Sequence, residues 1–199
     1  MGKYEAKEPE KKYTPQQSLM LYLHDLIYLL TAIILIFTLI FRIVVVSGPS
    51  MFDTLMDGDY LLLLSNTFYH NPKQGDVVVL SKETYDNGTP IVKRVIATEG
   101  QSVDIDFVSG TVYVDGKELT EPYTHTPTNM QEGMKFPLTV DKGCIFVMGD
   151  NRNESKDSRD PEIGLVDTRQ VLGKAIILFL PGDHRGTQNR DFGRVGVVV

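Results

Sequence analysis

Hydrophobic and polar positions along this 199-residue chain follow two different patterns, and the change comes near residue 46. Leu26 to Val46 reads LIYLLTAIILIFTLIFRIVVV, apolar all round, with Arg42 as its one charged residue. At ~1.5 Å per residue a helix of that length is about 31 Å long, the thickness of a hydrocarbon core. Arg42 stands about one turn from the end, where its side chain reaches the headgroups. The run predicts a transmembrane anchor over 26–46. Two other readings fit less well. A buried helix of a soluble protein is rarely apolar all round for this length, and a cleaved signal peptide has an apolar core of only about 7–15 residues behind a shorter, more basic leader.

Residues 1–25 form the leader, with Lys3, Lys7, Lys11 and Lys12 offset by Glu5, Glu8 and Glu10. Lysines set orientation and acids contribute little, so the N-terminal tail is expected in the cytoplasm and residues 47–199 outside the cell membrane. AIILFLP (Ala175 to Pro181) is too short to span and reads as a buried strand.

Beyond residue 47 the apolar runs shorten to strand length, bounded by turn residues. DYLLLLSN and GDVVVLSK are two such runs. TPIVKRVIATEG is a third, with Ile91, Lys93, Val95 and Ala97 on one face and Val92, Arg94 and Ile96 on the other. SVDIDFVSGTVYVDGKEL alternates strictly and predicts a hairpin turning at Ser109-Gly110, with a second turn at Asp115-Gly116. GCIFVMGD and VLGKAIILFLP add two more strands. Residues 120–142, rich in Pro, Thr, Glu and Gly, predict an extended loop, and 183–199 a tail. The expected fold is mainly β, one domain behind one helix.

Composition narrows the function classes. A formal charge of −6 argues against a nucleic-acid partner, which needs clustered Lys and Arg. The single cysteine, Cys144, has no intramolecular disulfide partner and reads as a small buried hydrophobe. No CxxC or HExxH spacing occurs, so nothing points to a protein-made zinc site or to a cofactor.

Three stretches carry candidate chemistry. Ser50 follows the greasy run in VVVSGPSMFDTL, where it is either a cap or turn residue or a nucleophile. His70, His125 and His184, the usual bases for a serine, all lie in loop-like settings. Lys93 lies mid-strand among β-branched neighbours. Burial there would lower its pKa by up to about 3–5 units and leave a neutral amine able to act as a base. The plainer reading is an edge-strand lysine pointing to water. GDNRNESKDSR (Gly149 to Arg159) packs polar and charged residues behind an apolar strand. It reads as a cation-binding loop, a solvated turn, or a loop fixed by an Asp157–Arg159 pair, and its acids lack EF-hand spacing.

Taken together, these stretches resemble the bacterial type I signal peptidases, membrane-anchored Ser/Lys proteases, from the anchor to about Pro181. SGPSMFDTLMDGDYLLL is similar to that family's nucleophile segment, QGDVVVL to its next strand and IVKRVIATEGQSV to its lysine strand. GTVYVDGKEL is similar to its hairpin, and VMGDNRNESKDSR with GLV and VLGKA to its C-terminal signature. The resemblance implies a coiled β-sheet domain of the kind shared with self-cleaving SOS repressors. It implies Ser50 as nucleophile and Lys93 as general base, with Met51 beside the serine and Ser155 orienting the lysine. Asp157 and Arg159 would form an ion pair, and Gly149, Asp150 and Asn151 the supporting loop. The implied partners are signal-peptide-bearing preproteins delivered by the secretion machinery, together with the lipid bilayer. A histidine at the Lys93 position marks the eukaryotic and archaeal branch, so lysine points to the bacterial type.

Two positions depart from the family pattern. Asp53 stands where the family's SMxPT motif has proline, and a carboxylate near Lys93 would favour the protonated amine. Gly48 replaces a serine that donates to the oxyanion in some members, which leaves the Ser50 backbone N–H. Asp53 motivates an alternative function, a catalytically silent, membrane-anchored peptide binder. A repressor-like self-cleaving protein is disfavoured, because the anchor and the acidic charge leave no DNA-binding part.

Overall fold

The computed structural model describes residues 13–183 and 190–199 and forms two compact units, residues 1–38 and 39–199. Leader lysines 3, 7, 11 and 12 and His184 lie outside the described residues.

Among the described residues, the N-terminal stretch forms one helix, α1 (Pro15–Ile40), with no buried residue. Its start is written in TPQQ. Thr14 Oγ1 accepts from the Gln17 N–H at 3.3 Å, Gln17 Oε1 accepts from the Thr14 N–H at 3.0 Å, and Pro15 takes the first helical position. At 26 residues it is long and apolar enough to be a candidate membrane span. Its bounds correct the sequence expectation of 26–46: the helix starts at Pro15 and ends at Ile40. The last residues of the greasy run leave it as a strand, β1 (Phe41–Val45), because Ile43, Val44 and Val45 are β-branched and find a partner strand.

The second unit is mainly β. Its other strands are β2 (Tyr60–Ser65), β3 (Val77–Leu80), β4 (Ile91–Thr98), β5 (Ser102–Asp106), β6 (Thr111–Val114), β7 (Lys117–Glu118), β8 (Leu138–Thr139), β9 (Cys144–Met148), β10 (Val166–Asp167), β11 (Val171–Leu180) and β12 (Gly196–Val197). An antiparallel sheet runs β1-β2-β11-β3-β4-β9-β10, with β12 on β11, and a smaller one runs β7-β6-β5-β8. The hairpin turns where expected. Asp115 and Gly116 both take positive φ, 51° and 72°, so two residues suffice to reverse the chain between Val114 and Lys117.

VVVL in β3 is buried on both faces. Val77 and Val79 enter one core with Met51, Leu61 and Leu63, while Val78 and Leu80 enter another with Val95 and Val147. A third core joins Ile96, Ala97, Phe146 and Met148 to the hairpin residues Val103, Ile105 and Val112. Here β4 departs from strict alternation. Its register against β9 shifts between Val95 and Ala97, so Ile96 and Ala97 share one core instead of opposing each other. AIILFLP forms part of a strand, but one half-open to solvent, with Phe179 exposed. The 120–142 excursion is mostly loop and contains β8, which pairs with β5. The described part of the 183–199 stretch is docked: Gly196 and Val197 pair with β11, and the Arg194 guanidinium donates to both oxygens of buried Asp59 at 3.0 and 2.7 Å.

Candidate active site

Ser50 sits on a tight turn packed over the first core. The chain leaves β1, Phe52 N–H donates to Pro49 O at 3.0 Å, and Leu55 N–H donates to Met51 O at 2.8 Å. Met51 and Leu55 are each 1% exposed in the core beneath, which fixes the turn from below. The Ser50 hydroxyl is left at the surface of a groove.

Lys93 comes from the middle of the sheet. Its strand pairs with β3 through Val78↔Lys93 and is uncovered on its other side there, but the side chain does not point to water: it is 3% exposed. Its Nζ lies 2.8 Å from Ser50 Oγ. Burial pushes the amine down from an ordinary lysine value to about 8, against the opposing pull of Asp157, Glu132 and Asp150. A buried amine with that affinity for protons, in contact with a hydroxyl, can take that hydroxyl's proton.

The 149–159 segment is neither a solvated turn nor a cation loop. It is a buried polar hub wrapped around the back of Ser50. Asn151 N–H donates to Ser50 O at 3.0 Å, and its side-chain Nδ2 donates to Pro49 O at 3.2 Å. Gly149 N–H donates to Asp157 Oδ2 at 3.0 Å. A Cβ on Gly149 would collide with the Ser155 side chain and with the Ser50 carbonyl oxygen, so only glycine lets the two segments approach this closely. Arg159 grips Asp157 with both arms, Nε to Oδ1 and Nη2 to Oδ2, each at 2.8 Å, and both residues are 0% exposed. The Ser155 hydroxyl donates to Asp157 Oδ2 at 3.0 Å, and no hydrogen bond joins it to Lys93.

Asp150 faces away from Lys93. It accepts from Arg94 Nε at 2.9 Å and Nη2 at 2.8 Å, and from Thr54 Oγ1 at 2.5 Å, linking the hub to the Ser50 turn. Arg94, 2% exposed and stacked 3.9 Å from the Tyr123 ring, was not among the residues the sequence singled out. Neither was Arg152, which donates to Gly149 O at 3.0 Å and pairs with Glu121. The available signal was a pair of adjacent cations inside an apolar strand: on opposite faces, both must be buried, and a buried arginine needs a carboxylate. Glu132, near Arg159, was also missed.

Asp53 turns away from the lysine. Its Oδ2 lies 3.0 Å from His125 Nδ1, whose ring meets Phe52 edge-on with centroids 4.9 Å apart. His70 and His125 are exposed, and Cys144 is only half-buried, packed at the rim of the third core. Among the described residues, no group of three or more His, Cys, Asp or Glu side chains is placed to hold a metal ion.

A groove of ≈ 320 Å³ runs past Ser50, between Val45–Pro49 on one side and Pro90–Lys93 on the other, with Tyr85, Glu154 and Lys156 on its rim. One of its walls is an unused strand edge. β9 pairs with β4 only from Arg94 onward, whereas Ile91, Val92 and Lys93 pair with β3 alone.

Residues 19–180 match the family model described as signal peptidase, peptidase S26. A signal peptidase I of Bacillus licheniformis is 33% identical over 180 residues, 86% of this chain and 94% of that protein. A probable signal peptidase I-1 of Synechocystis is 36% identical over 149 residues, 71% of this chain and 72% of that protein. A crystal structure of a signal peptidase I from Enterococcus faecalis, 30% identical, aligns over 52% of this chain and 96% of its own with a TM-score of 0.43. On the extent of the sequence match, the chain belongs to the signal peptidase family, peptidase S26.

Proposed function

We propose that this chain is a signal peptidase I that cuts signal peptides from exported preproteins, with Ser50 as nucleophile and Lys93 as general base. The observation that carries the reading is the 2.8 Å approach of a buried lysine amine to the Ser50 hydroxyl. An extended substrate segment adds to the free edge of Ile91–Lys93, so that main-chain hydrogen bonds hold it while shallow walls favour small side chains before the scissile bond. Neutral Lys93 takes the hydroxyl proton as Ser50 Oγ bonds to the carbonyl carbon. The Ser50 backbone N–H, which donates to no group among the described residues, is free to hold the oxyanion. The C–N bond then breaks, and the lysine proton goes to the leaving amine. In the second half Lys93 deprotonates water, hydroxide attacks the ester, and the proton returns to Ser50.

In this reading α1 is a single-pass anchor, with the N-terminal tail in the cytoplasm and the β unit outside. Ser50 follows the last helical residue, Ile40, by only ten positions, and tethering the enzyme to the bilayer that carries the substrate's own apolar segment concentrates the two. The silent-binder alternative rested on Asp53, whose carboxylate is engaged by His125 instead of approaching Lys93. Ser50→Ala and Lys93→Ala should each abolish cleavage of a model preprotein by the detergent-solubilised chain. Persistence of cleavage in both variants would sink the reading.

A further inference from the structure

Glu132 lies in the 120–142 excursion and belongs to none of the stretches that carried the sequence reading. Its side chain is 10% exposed and lies 3.3 Å from Arg159 Nη2, and its Oε2 accepts from the Asp157 N–H at 3.4 Å. The excursion grips the same arginine twice more. Met130 O accepts from Arg159 Nη1 at 3.0 Å, and the Met134 N–H donates to Arg159 O at 2.9 Å.

A count of the buried charges shows what the carboxylate is for. Asp150 is matched by Arg94 and Asp157 by Arg159, while Asp160, nearer the surface, pairs with the exposed Lys156 at 3.3 Å. Glu132 is left over. A second carboxylate on an already paired arginine is costly to desolvate and adds little as an ion pair. The remaining buried cation in this cluster is Lys93, whose charge is stabilised by Asp157, Glu132 and Asp150 and opposed by Arg159. Lys93 becomes an ammonium ion each time it takes a proton from Ser50 or from water, on a side chain only 3% exposed.

We propose that Glu132 is a positioning residue for the Ser50–Lys93 pair, fastening the excursion to Arg159 and supplying the negative charge that balances Lys93 when it is protonated. The proposal rests on the Ser/Lys reading above. The groups facing Glu132 are Asp157, Asp160 and Arg159. Burial, then Asp157, pushes its carboxyl up to about 7, so it is ionised in the range where Lys93 titrates.

The test uses the full chain in detergent, with kcat/KM for a preprotein and competitive acetylation of Lys93 followed from pH 6 to 10. Removing the negative charge lowers the amine's affinity for protons. Glu132→Gln should therefore move both the acidic limb of kcat/KM and the Lys93 titration to lower pH, by roughly 0.3–1 unit, with a several-fold loss of kcat at the plateau. Glu132→Asp should restore the wild-type limb. A merely structural role would change stability or the plateau and leave the limb in place. An unmoved limb, a limb moved to higher pH, or loss of the folded state in Glu132→Gln would each overturn the proposal. Ser50→Ala and Lys93→Ala serve as controls. If they stay active, the Ser/Lys reading fails; if they are dead and the Glu132→Gln limb is unmoved, only the role of Glu132 fails.

Discussion

Replacing Asp150 with alanine would leave the Arg94 guanidinium buried without its carboxylate. Both side chains are at most 2% exposed, the pairing is bidentate at 2.9 and 2.8 Å, and Thr54 loses its acceptor in the same step. Breaking a buried pair from one side costs about 3–5 kcal/mol, because the remaining charge is stranded. That is a large part of the roughly 5–15 kcal/mol by which a domain is folded. At roughly 2–4 °C per kcal/mol for a domain of 150–250 residues, the melting temperature should fall by about 6–20 °C. The assay is thermal and urea unfolding of the full chain in detergent. Arg94→Met combined with Asp150→Leu should be less destabilised than Asp150→Ala, since no charge is left unpaired. A loss below ~1 kcal/mol for Asp150→Ala, or a double variant worse than the sum of its singles, would refute the reasoning.

Other outcomes follow from the same geometry. Gly149→Ala should lower kcat by ~100-fold or more, because the added carbon drives Ser155 and the Ser50 carbonyl apart; preprotein cleavage by a folded variant checks this. Asp53→Ala should change kcat/KM at pH 8 by less than about fivefold, since the carboxylate is 62% exposed and pairs with a histidine that is 41% exposed. A shift in its acidic limb would show that Asp53 reaches Lys93 after all. Lys93→Met should be more stable than wild type at pH 7. The unfolded lysine holds its proton up to an ordinary 10.5 and the folded one only to about 8. The unfolded state therefore binds more protons across that window, and wild-type stability rises with pH from about 8 to 10.5. The advantage of Lys93→Met, up to about 3 kcal/mol by linkage, should be full below pH 8 and fade by pH 10.5; equal stability of the two at pH 7 in urea unfolding would contradict it.

Much of the fold was legible because strand and turn chemistry are local. The alternation of Val103, Ile105, Val112 and Val114 allows one register for β5 on β6, and the Asp115-Gly116 turn folds β7 back on β6. The end of the anchor was not legible. IVVV suits a membrane helix and a strand equally well, and what decides is β2, some fifteen residues further on. The 149–159 segment read equally as a cation-binding loop, a solvated turn or a loop fixed by an Asp157–Arg159 pair; its burial was not legible because its partners, Arg94 and Glu121, come from stretches 56 and 31 residues away. Glu132 escaped notice for the same reason: in sequence it is one acid in a Pro- and Gly-rich loop, and only folding brings it to Arg159. The docked 190–199 segment likewise depends on Asp59, far upstream.

The central claim, that a buried neutral Lys93 activates Ser50, is tested most directly by the pH dependence of kcat/KM for preprotein cleavage, measured beside the titration of the Lys93 amine in the same preparation. The account predicts an acidic limb with its midpoint near pH 8 that coincides with the amine titration, and no cleavage in Lys93→Ala at any pH. A rate independent of pH from 6 to 10, or a limb that survives Lys93→Ala, would contradict it.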